Sequence, residues 1–137
     1  LTRRLLDEHV FPRLFGPGVR PLEDAAMLPP LSGSPVLATD SFVVSPLFFP
    51  GGDIWSLAVY GTVNDLLVRG ARPLWLTLSM ILEEGLPLSV LDCVLERIAV
   101  AARCCDVAIV AGDTKVVPRG AADGLFLSTT GLGQLVE

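Results

Sequence analysis

Hydrophobic positions recur along this chain with two periods, one helical and one extended, and their succession sets out the elements. Over residues 88–105 the apolar positions Leu91, Val94, Leu95, Ile98 and Ala102 are spaced three and four apart, which predicts an amphipathic helix with Ser89 and Asp92 in its first turn. Ala99, Ala101 and Ala102 would let it pack closely on a sheet. Residues 1–15 read the same way through Leu5, Leu6, Val10 and Leu14, and Gly16, Pro17 and Gly18 end the helix. A third helical run follows Gly51 and Gly52, with Asp53 as its N-cap or, alternatively, with the glycines letting backbone approach a phosphate. It carries Ile54, Leu57, Val59, Val63, Leu66 and Leu67, is closed by Gly70 at C′, and cannot restart at Pro73.

Four runs have strand character: 36–44 (VLATDSFVV), 73–82 (PLWLTLSMIL), 107–110 leading through AGDTK into Val116 and Val117, and 124–132 (GLFLSTTGL). The second is apolar enough to be buried on both faces, and the last has a wet face through Ser128 and Thr130. Residues 21–35 hold five Pro or Gly punctuation points and read as an ordered loop, with Glu23 and Asp24 solvated. In PLFFPGG (46–52), Phe48 and Phe49 are too apolar for a free loop and suggest a partner surface or a lid. The order helix, strand, helix, strand, helix, strand, strand gives an α/β (α+β) domain over residues 1–137, with a mixed β-sheet and helices on one face. Its other face would be apolar and uncovered, which calls for a second copy or a further domain.

Composition narrows the partners. Half of the 137 residues are apolar and 18% are charged, enough for a substantial core, and the net charge of −5 disfavours nucleic acid and acidic membrane surfaces. No run is long enough to span a bilayer and no signal-peptide pattern opens the chain, so a cytoplasmic setting is expected. The start at Leu1 reads as a fragment or a processed form. Cys93, Cys104 and Cys105 lack metal-ligand spacing, and the helical pattern around Cys93 and Cys104 makes them small buried thiols.

Three acids stand where the fold alone would not place them. Asp40 falls mid-strand, where a carboxylate must find partners or water, so it belongs at a strand end facing a cleft, at a bulge, or at a hairpin corner. Asp65 lies beside Asn64 and after Gly61 inside a helix, all poor helix formers, Gly by about 1 kcal/mol. Spacing puts Thr62, Asp65 and Arg69 on one polar stripe opposite the apolar face. Asp113 sits in AGDTK, where Gly112 permits close backbone approach, the acid can hold a cation, and Lys115 can meet phosphate or exchange a proton; a Gly-Asp turn with a surface Lys is the plainer alternative. Converging, these acids would make a hard-cation site for Mg²⁺, which takes one or two carboxylates and completes its shell with water and phosphate. Lys115 and Arg69 would neutralise phosphate charge. There is no Walker-type or kinase-type glycine loop, and His9 alone supports no Ser-His-Asp triad.

ATDSFVVSPLFFPGGDI, GTVNDLLVRGARPLWL, ILEEGLPL and AGDTKVVPRG, in this order and spacing, resemble the N-terminal domain of the HypE family of hydrogenase maturation proteins. That family lies within the superfamily of aminoimidazole ribonucleotide synthetase, selenophosphate synthetase and thiamine-phosphate kinase. The resemblance implies ATP bound with Mg²⁺ at the interface of a homodimer whose sheets join into a β-barrel. It implies Asp40, Asp65 and Asp113 as metal and nucleotide ligands, Asn64 and Thr114 as supporting contacts, and Asp113 with Lys115 as the catalytic pair. It further implies dehydration of an S-carboxamido group on a C-terminal cysteine to thiocyanate, which supplies the cyanide ligands of [NiFe] hydrogenase iron. A carbamoyltransferase and an iron-scaffold protein would be partners. The chain holds neither the family's glycine-rich segment before the first helix nor its C-terminal domain and terminal cysteine, so alone it is expected to lack full turnover. The competing expectations are a dimerising scaffold without catalysis and another ATP-dependent kinase or synthetase of the superfamily.

Overall fold

The computed structural model describes residues 2–15, 25–43, 48–49 and 52–136. Helices α1 (Thr2–Leu5) and α2 (Phe11–Phe15) flank a π-helical turn (Leu6–Val10). They are followed by β1 (Pro35–Val43), the short hairpin strands β2 (Phe48–Phe49) and β3 (Gly52–Asp53), and α3 (Ile54–Val68). Then come β4 (Ala71–Glu83), α4 (Leu88–Cys104), β5 (Ala108–Val117) and β6 (Leu125–Leu135). The four long strands form one mixed sheet in the order β1-β6-β4-β5, antiparallel except for the β4–β5 pair.

Periodicity decides which side chains are dry. Leu76, Leu78, Met80 and Leu82 alternate along β4, and Leu125 and Leu127 along β6, onto the face covered by α3 and α4. From α4 come Leu91, Val94, Leu95, Ile98 and Ala102, as their spacing requires, joined by Ala99 and Ala101. The N-terminal helical segment adds Val10 and, around it, Leu5, Leu6, Phe11 and Leu14. Leu5 and Leu6 precede Val10 and Phe11 by five residues, so an i→i+5 turn keeps both pairs over the core. His9 Nδ1 lies 2.8 Å from Asp92 Oδ1, and Arg13 Nη2 lies 3.2 Å from Asp92 Oδ2, fastening this segment to α4.

Several elements run longer than their patterns suggest. β6 continues through Gly131 and Gly133 to Leu135 because those glycines are sites of close approach, not breaks: a Cβ at Gly133 would stand 2.5 Å from the Arg72 carbonyl oxygen. β5 is one strand through the whole of AGDTK, so the alternative of a Gly-Asp turn at this point does not hold. Val110 is an extra residue opposite the Leu76–Thr77 step, and a Cβ at Gly112 would collide with the Leu78 carbonyl oxygen. Pro73 is tolerated in β4 because a second irregularity lies there and β5 pairs with β4 only from Trp75 onward. Gly70, with φ +87°, ends α3 in the left-handed conformation expected of a C′ glycine.

The far side of the sheet differs from a continuous apolar surface. Ser41, Ser128, Ser79 and Asp113 form one row across the strands, and Thr39, Thr130 and Thr77 the next. Ser41 Oγ lies 3.0 Å from Ser128 Oγ, and Thr39 Oγ1 lies 3.1 Å from Thr130 Oγ1. Apolar residues flank these hydroxyls, among them Leu37, Val43 and Ile81, all exposed. β4 is therefore buried on one face only within the chain. The ends assigned to Gly16, Pro17 and Gly18, the solvation of Glu23 and Asp24, and the side chains of Phe48, Phe49 and Asp53 lie outside the described residues.

Candidate functional site

A helix laid on a sheet by apolar contacts alone can slide; α3 is pinned by hydroxyls. Thr62 and Thr129 are 0% and 1% exposed. Thr129 Oγ1 donates to the Ala58 carbonyl at 2.7 Å, and that uses its one proton, so the 2.5 Å contact between Thr62 Oγ1 and Thr129 Oγ1 has Thr62 as donor. Thr62 thus faces the sheet and does not share the solvent stripe of Asp65 and Arg69, because a buried Thr with a partner fits a helix–sheet interface as well as Val does. Beneath it, Gly131 leaves room: a Cβ there would stand 2.8 Å from Thr62 Cγ2 and 2.9 Å from Leu66 Cδ1.

These contacts fix direction as well as position. Ala58 meets Thr129, while Thr62 and Leu66 meet Gly131, so α3 advances along β6 and runs against β1. Gly61 lies on the Phe42 ring, its Cβ position 3.4 Å from Cζ. One turn further along α3, about 6 Å, is Asp65, and two residues back along β1, about 7 Å, is Asp40 on the Phe42 side of its strand. Both acids are exposed and occupy one rim, where α3 crosses the β1 edge, and Asn64 is exposed beside Asp65. Asp40 lies within regular pairing opposite Thr129, neither at a strand end nor at a bulge or corner. An edge strand permits this, because its carboxylate Oδ1 accepts the Ser41 N–H at 2.9 Å.

Asp113 is elsewhere. It lies on β5, three strand spacings or about 14 Å from β1, and points to the open face while Asp40 lies on the helix side. Lys115 stands beside it, Nζ to Oδ2 3.5 Å, both exposed. Thr114 lies on the opposite side of β5, level with Met80, and with Asp113 borders a cavity of about 440 Å³ under the N-terminal helix, next to Leu6, Val10 and Phe11. Arg69 is exposed just beyond α3. Within one chain Asp113 pairs with Lys115, while Asp40 and Asp65 share the end of the α3–β1 crossing without a direct contact to that pair. Among the described residues no three of His, Cys, Asp and Glu gather as a metal cluster. The donor set of the Asp40–Asp65 rim, two oxygen-bearing acids open to solvent, suits a hard cation that completes its shell with phosphate, and not an all-protein cage.

Thr129 escaped notice in the sequence, although its signal was present: with Ser128 and Thr130 on the wet face, period 2 makes Thr129 dry. The cysteines are free, and Cys104 is exposed and not buried as its helical position suggested, since it falls in the last turn of α4. Partial burial, and then the neighbouring Cys104, push the Cys105 thiol above its ordinary pKa.

The four-stranded mixed sheet with helices on one face is the architecture of a known class. The chain belongs to the family of AIR synthase related proteins, N-terminal domain, whose family model matches residues 22–135. Within it, the resemblance is to HypE hydrogenase maturation proteins. The chain is 56% identical over 111 residues to carbamoyl dehydratase HypE of Cupriavidus necator, covering 81% of this chain and 32% of that protein. A crystal structure of hydrogenase maturation protein HypE in complex with ATP superposes with a TM-score of 0.92 at 48% identity, over 99% of this chain and 40% of that one. HypE in a HypE–HypF complex superposes with a TM-score of 0.75 at 51% identity, over 97% of this chain and 43% of that one. The chain thus spans about a third of the length of the curated relatives it matches. No described helix is long and apolar enough to cross a membrane.

Proposed function

We propose that this chain is the nucleotide-binding part of an ATP-dependent carbamoyl dehydratase that makes the cyanide ligands of a [NiFe] hydrogenase. The observation that carries the reading is the Asp40–Asp65 rim in a chain so similar to a HypE crystallised with ATP. Asp40 and Asp65 would hold Mg²⁺ against phosphate oxygens, with Asn64 beside them. Bound Mg·ATP supplies an activated phosphoryl group that turns an amide oxygen into a leaving group. Asp113, Thr114 and Lys115 stand too far from that rim to share it within one chain, so a second copy would bring them. In a homodimer closed through the open sheet face into a barrel, Lys115 of one copy would take up a proton as the carboxamide becomes a nitrile, with Asp113 holding its ammonium in place. Among the described residues the outer edges of β1 and β5 have no strand partner, and together with the exposed Leu37, Val43 and Ile81 they support such closure. A carbamoyltransferase and an iron scaffold, in a cytoplasmic setting, are the partners this reading requires; the likeness to a HypE solved in a complex with HypF supports a maturation partner in general.

Calorimetric titration of the chain with ATP at fixed Mg²⁺ tests the proposal, with the association state measured in the same buffer. Binding is expected in wild type and lost in Asp65→Asn with the fold and association state unchanged. Equal binding by wild type and Asp65→Asn would refute the assignment, and the scaffold reading, in which the acid has no role, would replace it.

A further inference from the structure

Asp40 and Asp65 sit on elements that are tied to each other through a third. β1 is held by its ladder with β6, and in that ladder Asp40 is the residue opposite Thr129. α3 is held over β6 by the Thr129 side chain, which binds the Ala58 carbonyl and receives the Thr62 proton, gripping two successive turns of the helix just before Asp65. Thr129 therefore stands where the two supports of the rim meet: its backbone is one rung of the ladder that carries β1, and its side chain holds the helix that carries Asp65.

Burial explains why hydroxyls there are not simply a device for stability. Two buried hydroxyls that satisfy one another can be replaced together by apolar groups of the same shape at little net cost. The Ala58 carbonyl lies inside α3, where the helix ladder already supplies a donor, so the Thr129 bond is an additional one. What valines cannot reproduce is the directionality: the distance and angle preferences of the two hydrogen bonds add to the packing on Gly131 a selection of the register that dispersion contacts alone do not supply. Gly131 acts in the same sense, since its missing Cβ is what lets Thr62 and Leu66 descend to bonding distance.

We infer that Thr129 and Thr62 are positioning residues of the cation–phosphate rim, holding α3 in the one register over β6 at which the Asp40 and Asp65 carboxylates converge on a divalent cation. The inference rests on the function proposed above. Its test replaces the hydroxyls and keeps the shapes. In Thr62→Val/Thr129→Val, the Mg²⁺ concentration needed for half-maximal ATP binding is read by calorimetry, beside urea unfolding of the apo chain. The expected result is a rise of about tenfold in the Mg²⁺ requirement with the unfolding midpoint nearly unchanged, and return to the wild-type requirement in Thr62→Ser/Thr129→Ser. A loss of stability with an unaltered Mg²⁺ requirement in the folded population would assign the pair a structural role only and overturn the inference. If the double-valine variant does not fold, Thr62→Val alone is titrated by the same criterion, since Thr129 then keeps its bond to Ala58. The two readings fail separately: wild type that does not bind Mg·ATP sinks the proposed function, whereas normal Mg²⁺ dependence in the valine variants, with Asp65→Asn inactive, sinks only the positioning role.

Discussion

Adding a single methyl at Gly131 should loosen the seat of α3. The glycine φ is not in the left-handed region, so the position demands space and not an unusual backbone. A Cβ there would meet Thr62 Cγ2 at 2.8 Å, Leu66 Cδ1 at 2.9 Å and Leu76 Cδ2 at 3.3 Å. Carbon pairs prefer about 3.5–4.0 Å, so two neighbours must retreat by more than half an ångström. Thr62 cannot rotate its methyl away without giving up its bond to Thr129, and Leu66 is fully buried. Overpacking of this kind costs about 1–3 kcal/mol, and the stiffer unfolded chain of an Ala variant returns about 0.4–1 kcal/mol. Gly131→Ala is thus expected to be less stable by about 1–2 kcal/mol, a fall of roughly 3–7 °C in melting temperature for a domain of this size. Urea unfolding measures it as a lower midpoint with an unchanged slope. Adding Thr62→Ser removes the nearest methyl and keeps the hydroxyl, and should recover about half of the loss. An Ala variant as stable as wild type, or no coupling between the two changes, would refute the reasoning.

Glu83 accepts the Gly120 N–H at 2.7 Å and the Gly124 N–H at 3.2 Å, bracing the turn between β5 and β6. Glu83→Ala should cost about 1 kcal/mol and speed hydrogen exchange at Gly120 before any strand amide. Asp92→Ala removes the shared partner of His9 and Arg13, so it should free the N-terminal helix to proteolysis in preference to the sheet and destabilise by about 1 kcal/mol, less at high salt. Because burial and Cys104 raise the Cys105 pKa, its thiolate fraction lags as pH rises. Iodoacetamide should therefore label exposed Cys104 first near pH 8, with the gap closing at more alkaline pH; equal rates throughout would contradict the assignment.

The elements that the sequence displays most openly are those whose packing is one-sided. α4 carries a clean three-four spacing because one face is dry and the other wet, and the left-handed Gly70 marks the end of α3 without help from tertiary structure. What stayed hidden depends on a second chain segment. Thr62 looks polar until Thr129, sixty-seven residues on, supplies the partner that lets it be buried. What Gly131, Gly133 and Gly112 make room for was hidden until α3, Arg72 and Leu78 showed why no side chain fits. Asp40 and Asp65 were legible as candidates because each breaks a local preference. Their shared rim was not, since it follows from the direction of α3 across β1. Asp113 was legible for the same reason as they were, but its face of the sheet is decided by the irregularity at Val110, which no periodicity announces.

β6 is the strand made last of the four, at residues 125–135, and it lies inside the sheet, between β1 and β4. During synthesis, the strand that β1 pairs with among the described residues is not made until more than eighty further residues have been added, as the Asp40–Thr129 register shows. Among the strands of the main sheet, only β4 and β5, joined through α4, pair from neighbouring sequence. Contacts this distant slow folding and concentrate it into a late, cooperative step. A nascent chain halted before Leu125 would lack the β6 partner of its first strand and the hydroxyl pin of α3, so β1 and α3 take their places together, when the ribosome releases the segment that carries Thr129.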